Sequence, residues 1–83
     1  MTSQMQRAAV SIELNLAEGS GRGSDADFAR FVVMGVGSAS EVECLLLIAR
    51  DLKLIAPDAH DAAAGECRII KRMMLALHKK LKA

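Results

Sequence analysis

Residues Thr2 to Arg22 read T-S-Q-M-Q-R-A-A-V-S-I-E-L-N-L-A-E-G-S-G-R. The stretch predicts one helix closed by a glycine-rich turn, and its reading decides the fold. Thr2 and Ser3 are both good N-cap residues, and Ser3-x-x-Gln6 has the capping-box spacing. Gly19 follows the last helical residues, where a left-handed C′ residue would stop the helix. At 100° per residue the side chains divide into four faces. Met5, Ala8, Ala9, Ile12 and Leu16 form the main apolar face, and Val10, Leu14 and Ala17 form a second. Gln6 and Glu13 lie in one narrow gap. Gln4, Arg7, Ser11, Asn15 and Glu18 fill the other.

An ordinary surface helix has one apolar stripe. Two apolar faces imply contacts on two sides. The plainer reading is a central helix of a bundle. The sharper one packs one face within the subunit and the other between subunits, with the polar stripe in a seam where Arg7, Asn15 and Glu18 hydrogen-bond across it, since buried polar groups need partners.

The motif resembles a family of four-helix-bundle proteins first met as open reading frames in intervening sequences of bacterial 23S ribosomal RNA genes. Its pattern runs approximately T-S-Q-[LIM]-[RK]-R-A-[AS]-V-S-I-x-x-N-I-A-E-G-x-G-R. Thr2, Ser3, Gln4, Arg7, Ala8, Val10, Ser11, Ile12, Asn15, Ala17, Glu18, Gly19, Gly21 and Arg22 match it. Gln6 stands where a base is usual, Glu13 where proline is frequent, Leu14 where a small residue is common, and Leu16 replaces isoleucine. A second block, approximately R-F-x-x-x-A-x-G-S-x-x-E-x-E-x-x-L-x-I-A, appears as Arg30, Phe31, Gly37, Ser38, Glu41, Glu43, Leu46, Ile48 and Ala49. A closing block appears as Arg72, Met73, Met74, Leu77 and Leu81. The resemblance implies an antiparallel bundle of four helices, a cytosolic location, no established biochemical role, and assembly into rings, as pentamers. Related proteins act as accessory subunits of retroelement reverse transcriptases and bind nucleic acid. The family's usual first helix, before T-S-Q, has no counterpart here. Three helices of a four-helix-bundle-like fold are therefore expected, completed by oligomerisation.

The rest of the chain agrees with an all-α fold in one domain of 83 residues. A chain this short buries a small share of its surface, so a lone core is marginal. Apolar residues nonetheless make up 52% of it, with Phe28 and Phe31 the only aromatics. That supply exceeds what three helices can hide, a second pointer to a homo-oligomer. Ser24 should cap a helix running to about Leu54, with Asp25 and Asp27 in its first turn. Phe28, Phe31, Val32, Gly35, Ala39, Val42, Leu46 and Ala49 form one stripe of it, and Val33, Val36, Cys44 and Leu47 a second. Gly35 and Gly37 each cost about 1 kcal/mol mid-helix. Gly35-x-x-x-Ala39 would offset this by letting a neighbour approach closely; the alternative is a kink. Pro57 breaks the helix, and Asp58 can cap a third, from about Ala59 to Leu81. Ala59, Ala63, Ile70, Met73, Met74, Leu77 and Leu81 make its predicted stripe.

Little points to chemistry. The chain has no uninterrupted apolar run of about 18 residues that would predict a membrane span, and the polar, uncharged N-terminus does not read as a signal peptide. Cys44 and Cys67 read as free thiols in a reducing cytoplasm. A di-metal carboxylate site needs Glu-x-x-His on two helices, which is absent. Cys44, His60, Cys67 and His78 lack zinc-ligand spacing, and both histidines are expected to face solvent. No cofactor, metal or catalytic residue is assigned, and the chain reads as non-enzymatic. Gly19-Ser20-Gly21-Arg22-Gly23 could cradle an anion but lacks the strand and lysine of a nucleotide loop. It reads better as a turn.

Charge is uneven. Residues 1–67 carry net −5, and residues 68–83 carry +6 without one acid. Lys71, Arg72, Lys79 and Lys80 are the candidate nucleic-acid contacts, by phosphate only, since no aromatics interleave for stacking. The plainer account is favourable charge at a helix C-terminus. The polar seam would hold Gln4, Arg7, Ser11, Asn15, Glu18, Arg22, Glu41 and Glu43, with one of the two glutamates paired to Arg7 or Arg22. Two functional readings result: a homo-oligomeric RNA or nucleoprotein accessory module, and a protein-interaction scaffold with no nucleic-acid role.

Overall fold

A computed structural model describes residues 2–83, with side chains from Ser3 onward. Three helices follow one another: α1 (Thr2–Ser20), α2 (Asp25–Asp51) and α3 (Pro57–Lys82). The chain is all-α over the described residues. α2 lies between the other two, and among the described residues α1 and α3 pack on α2 rather than on each other. The backbone measures 44 × 22 × 12 Å, a single layer of helices.

The boundaries follow from local chemistry. The capping role expected of Thr2 lies outside the described side chains, and Ser3 sits within α1. Gly19 does not stop α1. It is helical and buried, and the left-handed residue of the turn is Gly23, at φ 86°. A Cβ on Gly19 would stand 2.7 Å from Phe31 Cβ and 2.9 Å from Phe28 Cδ1. The glycine is needed there for close approach of α2, not for a left-handed turn. Ser24 caps α2 as expected, its Oγ accepting the Asp27 amide at 3.2 Å.

α2 ends at Asp51, three residues earlier than its pattern suggests. Lys53 turns left-handed at φ 61°. The Leu54 amide then donates to Ala49 O at 2.8 Å and the Lys53 amide to Arg50 O at 2.9 Å, the pair of bonds that defines a Schellman stop. α3 begins at Pro57, whose fixed φ suits the first helical turn. Its N-cap is Ala56, which makes no side-chain cap bond. Asp58 therefore acts through its charge in the first turn and not as the cap.

The core is small. Val32, Ala39, Cys67 and Met74 are buried together, with Ile12, Leu16, Phe28, Val36, Val42, Leu77 and Leu81 packed around them. All three helices meet at Gly35. A Cβ there would lie 3.2 Å from Met74 Sδ, 3.9 Å from Asn15 Cβ and 3.9 Å from Ile12 O. Close approach, not a kink, is what offsets the helix cost of this glycine. Gly37 has no such neighbour.

On α3 the buried residues are His60, Ala64, Cys67 and Met74. The stripe predicted from hydropathy is right at Met74, Leu77 and Leu81 and wrong along its other edge. Ile70 and Met73 are exposed, Met73 at 67%. In the first half of α3, small side chains, Ala64 and Cys67, face α2, while Met74, Leu77 and Leu81 fill the core further along and Ile70 and Met73 are left uncovered.

α2 also has the length and composition to cross a membrane, which the search for an uninterrupted apolar run does not predict. One window of 18 residues has a mean hydropathy of 1.8, and only 22% of it is buried. The structure places two flanking helices on α2 and leaves Val33, Met34, Leu47 and Ile48 uncovered on its outer side.

Candidate interaction surfaces

The residues grouped as one polar seam fall into three separate sites. The first is the α1–α2 groove, lined by Gln4, Arg7, Ala8, Ser11, Ser38 and Glu41. Antiparallel α1 and α2 place Ser11 Oγ 2.9 Å from Ser38 Oγ. The Asn15 amide nitrogen donates to Ser11 O at 2.8 Å and to Ser11 Oγ at 3.1 Å. Ser38 Oγ donates to Met34 O at 3.3 Å. A single direction of donation, Asn15 to Ser11 to Ser38 to Met34 O, satisfies the whole chain. Ser38 is the member that the first-helix motif could not reveal, because it comes from another helix.

The second site is the turn between α1 and α2. Arg22 pairs with Glu18 at 2.9 Å and stacks 5.0 Å over the Phe31 ring. Arg30 lies 5.3 Å from the same ring. The pair is exposed and so contributes little by charge alone, while cation–π contact adds about 0.5–1 kcal/mol. With Gly19 beneath Phe31, the turn reads as a clasp between helices. Asp25 and Asp27 at the start of α2 put negative charge where an anion would sit, which disfavours the cradle considered from sequence.

The third site corrects a pairing. Neither Glu41 nor Glu43 reaches Arg7 or Arg22. Glu43 instead turns to α3, with its Oε1 2.8 Å from Lys71 Nζ and the two side chains 25% and 27% exposed. The Oε1 atom is shielded from solvent and has no well-aligned hydrogen bond, so this is a charge contact more than a directional one. Close by, Cys67 Sγ donates to Ala39 O at 3.1 Å. Burial pushes its thiol up, and the Glu43 carboxylate adds to the shift. A register argument on either helix alone could not have found the Glu43–Lys71 pair.

The basic group is also rearranged. Lys71 is engaged with Glu43 and is not a free phosphate contact. Arg72, Lys79 and Lys80 are exposed, but Lys80 lies about 100° round the helix from Lys79. Arg68, exposed and not singled out by the sequence argument, shares an arc of about 40° with Arg72 and Lys79. None of these three has an ion-pair partner within 4.0 Å among the described residues.

The histidines behave unequally. His60, expected in solvent, is 9% exposed, and its Nδ1 lies 3.0 Å from Asp61 Oδ1. It is buried because it falls on the α2-facing stripe with Ala64 and Cys67. Cys44 is exposed, Cys67 is buried, and both are free. The described residues contain no group of three or more His, Cys, Asp or Glu placed to hold a metal ion.

Besides the outer side of α2, two further apolar areas are uncovered among the described residues. Leu16 of α1 and Ile70, Met73, Met74 and Leu77 of α3 line one groove. Val10 and Leu14 of α1, with Leu14 63% exposed, lie beside the polar seam.

Compared with known proteins, the chain matches a family model described as 23S rRNA-intervening sequence protein over residues 1–76. No curated protein and no solved structure matches it.

Proposed function

The chain belongs to the 23S rRNA-intervening sequence protein family, and from that premise we propose that it is a non-enzymatic helical module that works as a homo-oligomer. The observation that carries this reading is the 12 Å layer of helices with large apolar side chains uncovered on both sides. Patches of this kind on a soluble chain mark association surfaces. Burial at about 25 cal/mol per Å² makes covering them favourable. The core of one copy, with Val32 the only large side chain fully buried among the described residues, is small for a domain that must stand alone.

A second reading rests on the basic face of α3. Arg68, Arg72 and Lys79 share one side and are free to meet phosphates, which suits an RNA or nucleoprotein accessory role in the cytoplasm. Each neutralised phosphate releases counterions, so binding of this type falls steeply with salt. The competing scaffold role, with no nucleic acid, predicts no such binding. Fluorescence anisotropy of the size-checked protein against a structured RNA, at about 50 and 200 mM salt, separates them. Tight binding at low salt that weakens steeply, and that disappears in Arg72→Glu/Lys79→Glu, supports the accessory role. An oligomer that binds no RNA at either salt leaves the scaffold.

A further inference from the structure

We infer that the outer side of the second half of α3 docks on an anionic lipid surface, with Ile69, Met73 and Ala76 at the acyl boundary and Arg72, Lys79 and Lys80 on the headgroup phosphates. The helix lies along the membrane face and does not span it. The inference goes beyond the homo-oligomer reading and does not depend on it.

Three observations support it. The first is position. α3 is an outer helix of the layer. At 100° per residue Ala76 lies opposite Cys67, which faces α2, with Ile69 about 20° and Met73 about 60° from Ala76. Ile69 and Met73 are more than half exposed, and Ala76 is exposed as well. They carry the apolar surface from the groove of Ile70 and Leu77 round to the edge of the molecule, where a flat partner can reach it.

The second is charge. Arg72 and Lys79 flank the strip about 40° and 60° from Ala76 on one side, and Lys80 lies about 40° from it on the other. None of the three has an ion-pair partner within 4.0 Å among the described residues. The acids of α3, Asp58, Asp61 and Glu66, all fall in its first half. The third is the mixing of the two kinds of group. Arg72 lines one shallow hollow with Ile69, Met73 and Ala76, so base and apolar surface meet a partner together.

This combination favours lipid over the other partners a basic helix attracts. RNA would engage the bases and leave Ile69 and Met73 in water, and α3 has no aromatic side chain to stack on a nucleobase. The same patch on a second copy would set bases against bases. A lipid interface takes both parts at once. The Lys and Arg stems lie along the apolar strip while their charges reach the phosphates, and the apolar side chains leave water at the acyl boundary. Each base near an anionic leaflet raises affinity about fivefold. The contact runs about 16 Å from Ile69 to Lys80 at the helical rise.

The test is co-sedimentation of the full chain with vesicles of phosphatidylcholine alone and of phosphatidylcholine with about one-third phosphatidylglycerol. Wild type, Ile69→Ser/Met73→Ser and Arg72→Gln/Lys79→Gln/Lys80→Gln are compared, all changed at exposed positions, with circular dichroism to check folding. Wild type should bind the anionic vesicles and not the neutral ones. The glutamine variant should bind about a hundredfold more weakly. The serine variant keeps its charge and should still lose about tenfold or more. The chain has no Trp or Tyr, so Met73→Trp reports on one position, and its emission should shift to the blue on the anionic vesicles. The inference is overturned if wild type stays in solution with anionic vesicles. It is overturned equally if the serine variant binds as wild type does or the Met73→Trp emission stays unshifted, since charge alone then acts and RNA serves as well. A serine variant that changes sedimenting size without lipid also overturns it, because the strip then holds a contact between copies. A wild type that binds the vesicles as a monomer supports the inference while removing the homo-oligomer reading.

Discussion

Lys71 Nζ of α3 lies 2.8 Å from Glu43 Oε1 of α2, in a seam where each side chain is about three-quarters buried. The contact ties the two helices at the level of Cys67. Removing one partner leaves the other charge shielded without compensation. Lys71→Ala should cost about 1–3 kcal/mol, the penalty of an unsatisfied, partly buried polar group. Glu43→Gln with Lys71→Met should recover most of that loss. Urea unfolding of Glu43→Gln, Lys71→Met and the variant carrying both gives the coupling energy. A coupling near zero would show that the pair is an exposed contact of no consequence.

Arg72→Glu and Lys71→Ala should separate two roles that the sequence ran together. The first should leave unfolding midpoints unchanged and abolish any salt-sensitive RNA binding. The second should lower the midpoint and leave RNA binding intact. The reverse pattern would return Lys71 to the nucleic-acid face.

Substitution by alanine should have opposite signs at two glycines. At Gly19 the new methyl meets Phe31 Cβ at 2.7 Å. Overpacking costs about 1–3 kcal/mol, against at most about 1 kcal/mol gained in helix propensity, so Gly19→Ala should destabilise. Gly37 has open space around it, and Gly37→Ala should stabilise by about 0.5–1 kcal/mol. Thermal melts of both variants decide it.

Lys53 holds the left-handed position of the Schellman stop at φ 61°. An L-residue there costs about 1–2 kcal/mol relative to the right-handed region, and glycine removes that strain while losing some backbone entropy. Lys53→Gly should raise stability by up to about 1 kcal/mol. A fall in the urea midpoint would mean that the lysine side chain makes a contact the backbone argument omits.

The two thiols should react in sequence. Cys44 is exposed and Cys67 buried, with the Cys67 thiol pushed up by burial and by Glu43. A thiol reagent should modify one cysteine quickly and the second at the rate of local opening. Because the folded-state value at Cys67 lies above the unfolded one, the unfolded chain loses its proton first. Stability is then full below the unfolded thiol range and declines as pH rises through the folded value. Cys67→Ala should flatten that decline in pH-dependent urea melts.

Much of the fold is legible in the sequence because it is local. The 3.6-residue pattern, the Ser24 cap and the Pro57 break place three helices correctly to within a few residues, and the α2 stripe through Val32, Gly35, Ala39, Leu46 and Ala49 is the stripe that faces its neighbours. The α3 stripe is legible only in its second half, at Met74, Leu77 and Leu81. Hydropathy weights Ile70 and Met73 above Ala64 and Cys67, whereas a close helix pair selects small side chains at the contact. For the candidate surfaces, the T-S-Q motif marks Gln4, Arg7, Ser11 and Asn15 as one polar line, and they do lie along the α1–α2 side. Glu18 and Arg22 belong to the turn, and Glu43 to the other seam.

By itself, then, the amino-acid sequence determined the family, the number and order of the helices, the residues that begin and end them to within a few positions, and the excess of apolar surface. Each of these depends on neighbours a short way along the chain, or on composition. The tertiary structure alone decided that Ala64 and Cys67 of α3 turn inward, that His60 is buried, that Glu43 meets Lys71, and that Arg7 and Glu41 share a groove without pairing. These depend on how three helices rotate and cross at Gly35. That relation is set by packing between segments far apart in the chain, and no single helix carries its record.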